Sequence, residues 1–326
     1  MNKFAVVIPY FGKLKPSFTL WYESARRNPD VDFFVFSDDN EPNNPAPNIR
    51  WTAFTLQDFN ALAVKKIGKD FTIAKPYKLC DFKPTYGLVF EDYLKGYEYW
   101  AFGDVDVLYG KITEFLNKIG YDAYYKLNIA GHLCFMKNVE EMNRLFMTSA
   151  EGTKGYTDVL ESGNVAFDEI DLNNKAIAKG YPIYNGILSA DLVNEKGMQT
   201  AEWKYFRQVI NLKEKLYAPK NYHYQLFVLE NGRVYRYYRR FFKVRKEEYC
   251  YVHFRLELPI NLKDIKGDTF LLSYYPKGFF DIDVAKLKSL SDFMKIVRNF
   301  NNRKPVVAEK FLAAINLVKR FFGRGK

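Results

Sequence analysis

The order of apolar and helical segments in the first 102 residues constrains the fold most strongly. Short apolar runs, each ended by a turn or a proline, alternate with longer segments whose apolar residues recur at the period of a helix. Strands that alternate with helices normally lie parallel in one sheet, with the helices packed on its faces. The chain is therefore predicted to adopt an α/β fold with a Rossmann-like, mostly parallel sheet flanked by helices. The predicted strands are 4–8, 32–37, 49–54 and 97–102, and the predicted helices are 16–27, 56–67 and 78–95.

The second half of the chain has a less regular pattern. An Asn231-Gly232 pair between two aromatic, β-like stretches predicts a tight hairpin. We expect two units, a first domain over residues 1–260 and a basic, amphipathic helical extension over residues 261–326. The predicted elements are a strand at 132–137, helices at 138–148, 284–299 and 305–322, and hairpin strands at 222–229 and 233–242.

Composition excludes several classes of protein. Hydrophobic residues make up 48% and charged residues 27%, which is typical of a folded chain rather than a disordered one. The three cysteines are far apart and give neither a disulfide framework nor zinc-site spacing. The first apolar run is broken by Pro9, and no apolar stretch is long enough to span a membrane. A cytoplasmic protein is expected.

An Asp-x-Asp pattern follows the predicted strand at 97–102. Asp104 and Asp106 stand beside Gly103, and side chains at i and i+2 of extended backbone point to the same side. Two adjacent carboxylates repel each other unless a positive charge lies between them. Mg²⁺ or Mn²⁺ would supply that charge and could be shared with substrate phosphates.

Position separates this pair from two others in the chain. Asp30/Asp32 and Asp281/Asp283 have the same spacing, which is common by chance in a chain with 20 aspartates. Ligands of open α/β sheets bind outside the carboxyl ends of the strands. Asp104 and Asp106 follow a strand directly, whereas Asp30 and Asp32 precede one, so we assign the cation site to the former pair.

The order of these motifs resembles bacterial glycosyltransferases of the GT-A fold that build capsular polysaccharide or lipopolysaccharide. The likeness covers roughly residues 1–255 and is carried by VVIPYF, by the Ser-Asp after the second strand and by GDVDVLYG. It implies transfer of a hexose from a nucleotide-sugar, most readily a UDP-sugar, to a glycan or lipid-linked acceptor. It also implies donor contacts from Pro9, Tyr10, Phe11, Asp38, Asp81, Lys83, Asp104 and His132.

The same resemblance assigns roles to a histidine and to two acids. His253, in a strand-like segment near the end of the first domain, would be a third metal ligand after Asp104 and Asp106, and imidazole suits Mn²⁺ better than Mg²⁺. Asp168 and Glu169 would lie on the acceptor side, either as a general base or as stabilisers of positive charge. Which of the two points inward, and whether the reaction inverts or retains configuration, stay open.

Two basic regions suggest further partners for a chain of net charge +11. The helix predicted at 305–322 has an apolar face flanked by lysine and arginine, which is typical of contact with an anionic membrane surface. The Arg/Tyr-rich residues 233–246 could belong to the same face, or could bind nucleic acid in a different class of protein. A metal-dependent phosphohydrolase is the third alternative. The transferase, without nucleic acid as a partner, is our preferred interpretation.

Overall fold

The computed structural model describes residues 2–184, 186, 189–193, 197–200, 222, 224–253, 268–273 and 278–300. Its strands are β1 Phe4–Tyr10, β2 Val31–Ser37, β3 Ile49–Ala53, β4 Tyr99–Gly103, β5 Val107–Tyr109, β6 Lys126–Leu127, β7 Leu133–Lys137, β8 Ile183–Tyr184, β9 Ser189–Val193, β10 Gly197–Thr200, β11 Gln225–Glu230, β12 Arg233–Arg240, β13 Lys243–Tyr249, β14 Tyr251–His253, β15 Phe270–Ser273 and β16 Gly278–Phe280. Its α-helices are α1 Phe18–Arg26, α2 Leu56–Lys66, α3 Leu79–Phe82, α4 Tyr86–Val89, α5 Ile112–Lys118, α6 Glu140–Asn143, α7 Tyr156–Glu161, α8 Asp171–Ala178 and α9 Leu290–Asn299.

The largest sheet has the strand order β3-β2-β1-β4-β7-β6-β8. β1 lies between β2 and β4 and is parallel to both, and β2 is parallel to β3. β7 runs antiparallel to β4. The predicted α/β class, a mostly parallel central sheet flanked by helices, is confirmed.

Alternating residues of β1 feed two separate cores, because successive side chains of a strand point to opposite faces. Phe4, Val6 and Ile8 pack into a core that also receives α1 and α5. Ala5 and Val7 pack into a second core with α2, α3 and α4. Both faces of the sheet are therefore buried at β1, which is why the first five residues of β1 form an unbroken apolar run.

A four-stranded sheet with the order β10-β9-β14-β5 adjoins the carboxyl end of β4. β14 is antiparallel to β5, with Tyr251 opposite Tyr109 and His253 opposite Val107. β14 is also parallel to β9. The pairing with β5 fixes the place of a segment distant in sequence beside the end of β4.

A third, antiparallel sheet has the order β13-β12-β11-β15-β16. The predicted hairpin is confirmed as β11–β12, with Asn231 and Gly232 at φ of 51° and 72° in its turn. One face of the sheet packs on α9 through residues that include Leu226, Leu271 and Phe293. The hairpin, which we assigned to residues 1–260, thus shares a core with residues beyond 260. β15 and β16 lie before the helix predicted at 284–299, in a stretch for which no element was predicted.

Two predicted helices are broken in the structure. Over 78–95 the chain forms α3, a 3-10 turn at Lys83–Thr85 and the short α4, because Pro84 lacks the N–H that a continuous helix requires. Over 138–148 only α6 and a 3-10 turn at Leu145–Met147 form. The helix predicted at 284–299 begins with a 3-10 turn at Val284–Lys288 and continues as α9. The helix predicted at 305–322 lies outside the described residues.

Gly87 of α4 provides a test of packing between the helical layer and the sheet. A Cβ atom at this position would lie 2.4 Å from Cζ2 of the buried Trp100. We expect Gly87→Ala to lower the free energy of unfolding by about 1–3 kcal/mol through overpacking. Urea denaturation would measure the change. Gly163→Ala is the control, because a Cβ there meets nothing within 4 Å, and equal losses in both variants would contradict the packing described.

Candidate active site

A cavity of about 560 Å³ opens at the carboxyl ends of β1 and β4. This is the edge at which open α/β sheets bind ligands. Seven residues with predicted roles at the donor or the metal line it, namely Pro9, Tyr10, Phe11, Lys83, Asp104, Asp106 and His253. The full lining is Ile8, Pro9, Tyr10, Phe11, Lys15, Ser17, Phe18, Pro76, Tyr77, Leu79, Cys80, Lys83, Tyr86, Gly103, Asp104, Val105, Asp106 and His253.

Asp104, Asp106 and His253 converge at the wall of this cavity. Each offers one ligand atom, and the three atoms lie within 4.8 Å of one another. The Nε2 atom of His253 is 3.4 Å from Oδ1 of Asp106. Two carboxylates and an imidazole form a donor set that fits a divalent cation of the Mn²⁺ type. Their residue types and proximity therefore agree with the predicted metal site.

The two aspartates reach this position by a bend rather than by extended backbone. β4 ends at Gly103 and β5 begins at Val107, so residues 104–106 form the connection between two strands. The backbone N–H of Asp104 donates to the carbonyl of His132, 3.1 Å away. The two carboxylates do lie close together, but the alternation of side chains in extended backbone is not the reason.

Lys83 is a buried ammonium beside the aspartates. Its Nζ atom lies 2.5 Å from Oδ1 of Asp104 and 3.7 Å from Oδ2 of Asp168, and it donates to the carbonyl of Gly131 at 2.9 Å. Burial alone would lower the pKa of Lys83, but Asp104 and Asp168 outweigh it and hold that pKa well above the ordinary value. Lys83 stays charged, with its charge directed at carboxylates; the predicted phosphate contact stays a prediction.

Asp168 and Glu169 lie behind Lys83 rather than on the cavity wall. Burial raises the pKa of Asp168 to about 8 although Lys83 opposes the shift. Burial also raises the pKa of Glu169, against the N–H of Gly131, which donates to Oε1 at 2.7 Å. Gly131 is required here, since a Cβ would lie 2.2 Å from Oδ2 of Asp168. The acceptor-side role of Asp168 and Glu169 stays a prediction.

His132 is stacked on His253 outside the cavity lining. The two ring centroids are 4.1 Å apart, and Nδ1 of His132 lies 2.8 Å from the hydroxyl of Tyr251. That hydroxyl accepts from Nδ2 of Asn128 at 2.8 Å, which leaves its own proton to donate to His132. The geometry makes His132 a support for the His253 ring, and the predicted donor contact is untested.

Asp81 and Asp38 support loops near the site. Asp81 is buried; its Oδ1 accepts from the N–H groups of Val165 and Phe167, and its Oδ2 lies 2.8 Å from Nζ of Lys78. These contacts hold the loop at residues 165–167 against α3, and the sugar contact that the resemblance implies for Asp81 stays a prediction. Asp38 is exposed, and its Oδ1 accepts from the N–H of Gly12 at 2.7 Å. Its contact with a base or ribose stays a prediction.

One aspartate in each of the other two Asp-x-Asp pairs has a structural partner. Asp32 is buried, accepts from the hydroxyl of Tyr97 at 2.5 Å and pairs with Arg50 at 3.2 Å. Asp283 caps the 3-10 turn at Val284–Lys288. Within the part of the chain that the structure describes, the group of three potential metal ligands contains Asp104 and Asp106, the pair to which we assigned the cation site.

Sequence reasoning missed several residues of the site. Asn128 and Tyr251 were given no role, and neither were the cavity-lining residues Tyr77 and Cys80. Tyr251 could have been found, since it lies two residues before His253 on a strand and so shares its face. Burial raises the pKa of the Cys80 thiol to about 11, so the thiol stays neutral. No sequence signal indicated Asn128, which adopts a φ of 83°.

Fold and site together define an α/β protein with a candidate divalent-cation site at the carboxyl edge of a mostly parallel sheet. The chain belongs to the family described as "Family of unknown function (DUF6625)", whose model matches residues 6–280. No curated protein matches the chain.

The chain has low sequence identity and low TM-scores to solved glycosyltransferase structures. The galactosyltransferase LgtC, in complex with donor and acceptor sugar analogs, is 11% identical, with 65% of this chain and 84% of that chain covered and a TM-score of 0.37. The apo-form glycosyltransferase GlyE of Streptococcus pneumoniae TIGR4 is 13% identical, with 56% and 45% covered and a TM-score of 0.30. We draw neither the fold nor the function of this chain from likenesses this distant.

Manganese binding tests the grouping of the three ligands. We expect Asp106→Asn and His253→Ala each to weaken Mn²⁺ binding by at least about tenfold, because each removes one donor atom. Titration calorimetry, or the paramagnetic resonance signal of free Mn²⁺, would measure the Mn²⁺ affinity. Asp281→Asn, at an exposed aspartate of the same spacing, is the matched control. Equal affinity in all four proteins would reject the site.

The raised pKa of Asp168 predicts a pH-dependent stability. The native state keeps the Asp168 proton up to about pH 8, whereas the unfolded chain loses it near pH 3.8. The native state thus binds more protons across this window, so the free energy of unfolding falls as pH rises. We expect Asp168→Asn to gain stability relative to the wild type by at most about 1.4 kcal/mol per pH unit. Denaturation at several pH values would measure the stability difference between variant and wild type, with the exposed Asp30→Asn as control. A difference that does not change with pH would contradict the raised pKa of Asp168.

Proposed function

We propose that this protein is a metal-dependent glycosyltransferase that moves a hexose from a nucleotide-sugar to a glycan or lipid-linked acceptor. A UDP-sugar is the expected donor, and bacterial surface polysaccharide synthesis is the expected setting. The observation that carries the proposal is the convergence of Asp104, Asp106 and His253 on one wall of a 560 Å³ cavity. A cavity of this size can hold most of a nucleotide-sugar. The proposal includes the GT-A assignment within the α/β class.

The cation site would serve the departure of the diphosphate. Asp104, Asp106 and His253 would hold Mn²⁺ or Mg²⁺, and such an ion supplies Lewis-acid stabilisation of the negative charge that develops on the leaving group. Lys83 fixes Asp104 in place through the 2.5 Å contact. Pro9, Tyr10 and Phe11 also line the cavity, and we assign the nucleoside contact to them.

Asp168 and Glu169 would act on the acceptor side. A general base works best when its pKa is near the working pH. Burial brings the pKa of Asp168 to about 8, and Lys83 lies 3.7 Å away to stabilise the ionised form. Asp168 is therefore our choice for the group that, in its ionised form, takes the acceptor's proton. Glu169 holds the Gly131 loop through its contact with the backbone N–H of Gly131.

The described structure gives less support to the alternatives. Of the seven cations within 233–246, Arg233, Arg236 and Lys246 are paired with glutamates, which reduces the charge available to nucleic acid. A two-metal phosphohydrolase needs a second group of ligands. Among the described residues, one such group is present.

We place the protein on the cytoplasmic face of the cell membrane, where a lipid-linked acceptor would be available. No helix within the described ranges has the length and apolar character needed to cross a bilayer. The proposed attachment is therefore peripheral, through basic and apolar surface groups.

A thermal-shift screen of nucleotide-sugars tests the proposal. One donor, in the presence of Mn²⁺, should raise the Tm of the wild type by mass action. At a donor concentration several hundred times Kd, the free energy of unfolding should rise by about 3–4 kcal/mol. Asp104→Asn should remove the shift, and Asp281→Asn should keep it. If no nucleotide-sugar raises the Tm, or the shift is indifferent to Asp104, the transferase assignment fails.

A further inference from the structure

The turn between β12 and β13 carries two exposed phenylalanines. Arg240 pairs with Lys243, so Phe241 and Phe242 are the two residues of the connection. Their relative exposures are 79% and 81%, the highest among the exposed large hydrophobic residues of the described chain. Two aromatic side chains this exposed contribute little to the folded core, so core packing does not account for them.

The backbone of this turn makes the phenylalanines more unusual. Phe241 has a φ of 55°, in the left-handed region that a bulky side chain disfavours. Two-residue hairpin turns normally use Gly, Asn or Asp at such positions. The chain's other hairpin does so at Asn231-Gly232. Phe241 thus strains the turn where Gly would relieve it.

Three cations stand beside the tip on one face of the hairpin. Arg240 is opposite Lys243, and Tyr238 is opposite Arg245, so their side chains share a face by strand alternation. All three cations are exposed. Within the described ranges, no acidic side chain forms a salt bridge with Arg240, Lys243 or Arg245. Arg233, Arg236 and Lys246, further from the turn, are paired with glutamates. The three cations on the face beside the phenylalanines form no such pair within the described residues.

The base of the hairpin is anchored to the domain that holds the site. Arg233, at the start of β12, pairs with Glu114 of α5 and, at 3.0 Å, with Glu248. Lys118 of α5 also reaches Glu248 at 3.0 Å. The eight residues of β12 carry the chain about 25 Å from this anchor to the tip. β12 is also paired with β11 from Arg233 to Tyr238, so the phenylalanines lie at the end of a strand that the sheet holds along most of its length.

We propose that Phe241 and Phe242 insert into the interface of an anionic lipid bilayer while Arg240, Lys243 and Arg245 contact its headgroups. Exposed aromatic and cationic groups at one turn of the sheet match the apolar interior and anionic surface of such a bilayer. Single-stranded nucleic acid is the less suitable partner, because it binds in grooves where bases stack in succession. The proposal depends on the membrane surface as a partner and is independent of sugar transfer.

Vesicle sedimentation of the full chain tests the phenylalanines. The variant Phe241→Gly/Phe242→Ser should bind phosphatidylcholine–phosphatidylglycerol vesicles at least about tenfold more weakly than the wild type, because it loses the apolar area of two rings. Gly at position 241 relieves the turn, so the Tm of the variant should equal or exceed that of the wild type. Loss of binding without loss of stability separates an anchor from a structural turn.

A double variant that removes two positive charges, compared with a matched control, tests the headgroup contact. Arg240→Gln/Lys243→Gln should weaken binding to anionic vesicles by about tenfold and reduce its salt dependence. Lys65→Gln/Lys69→Gln removes equal charge from exposed lysines near α2 and should change binding less than about twofold.

Three results would overturn the proposal. The wild type could fail to bind anionic vesicles, the tip variants could bind them as tightly as the wild type, or the tip variants could lose affinity for single-stranded RNA while keeping it for vesicles. Donor-induced thermal shifts in the tip variants would be unchanged in every case if the transferase assignment holds. Failure of the membrane contact is therefore distinguishable from failure of the catalytic proposal.

Discussion

Three backbone pairings between β5 and β14 hold the candidate site together. They place His253 opposite Val107, directly beside Asp106 and distant from it in sequence. A slip of one residue in this register would turn the His253 side chain to the other face of the sheet. The parallel pairing of β14 with β9 and the stacking of His132 on His253 add further constraints on that position. The metal-ligand group is therefore a property of the tertiary fold rather than of the Asp-x-Asp motif alone.

Charge balance around Lys83 is the second requirement. Asp104 lies 2.5 Å from the Lys83 ammonium, and it would also hold a cation together with Asp106 and His253. Asp168 is buried on the far side of Lys83, where desolvation raises its pKa to about 8. Removing one partner of such a buried set leaves an uncompensated charge, which costs more than the pair contributes. Lys83 thus couples the donor side of the cavity to the proposed acceptor side.

Much of the fold could be predicted from the sequence, because apolar periodicity in β1, β2, β3 and the β11–β12 hairpin is strong and local. The helix expected at 78–95 was wrong, since one proline outweighed the periodicity around it. The three-residue β5 is too short to give a signal of its own. For the site, Asp104 and Asp106 could be chosen by their position after a strand, but the buried setting of Asp81 and the support of His132 by Tyr251 and Asn128 depend on contacts across the fold.

The most direct measurement is anomalous diffraction from crystals grown with Mn²⁺ and a nucleoside diphosphate. The account predicts one strong manganese peak within coordinating distance of Asp104, Asp106 and His253, with the diphosphate bound to the same ion and the nucleoside against Pro9, Tyr10 and Phe11. A peak at a different site, or a bound nucleotide whose phosphates point away from these three side chains, would contradict it.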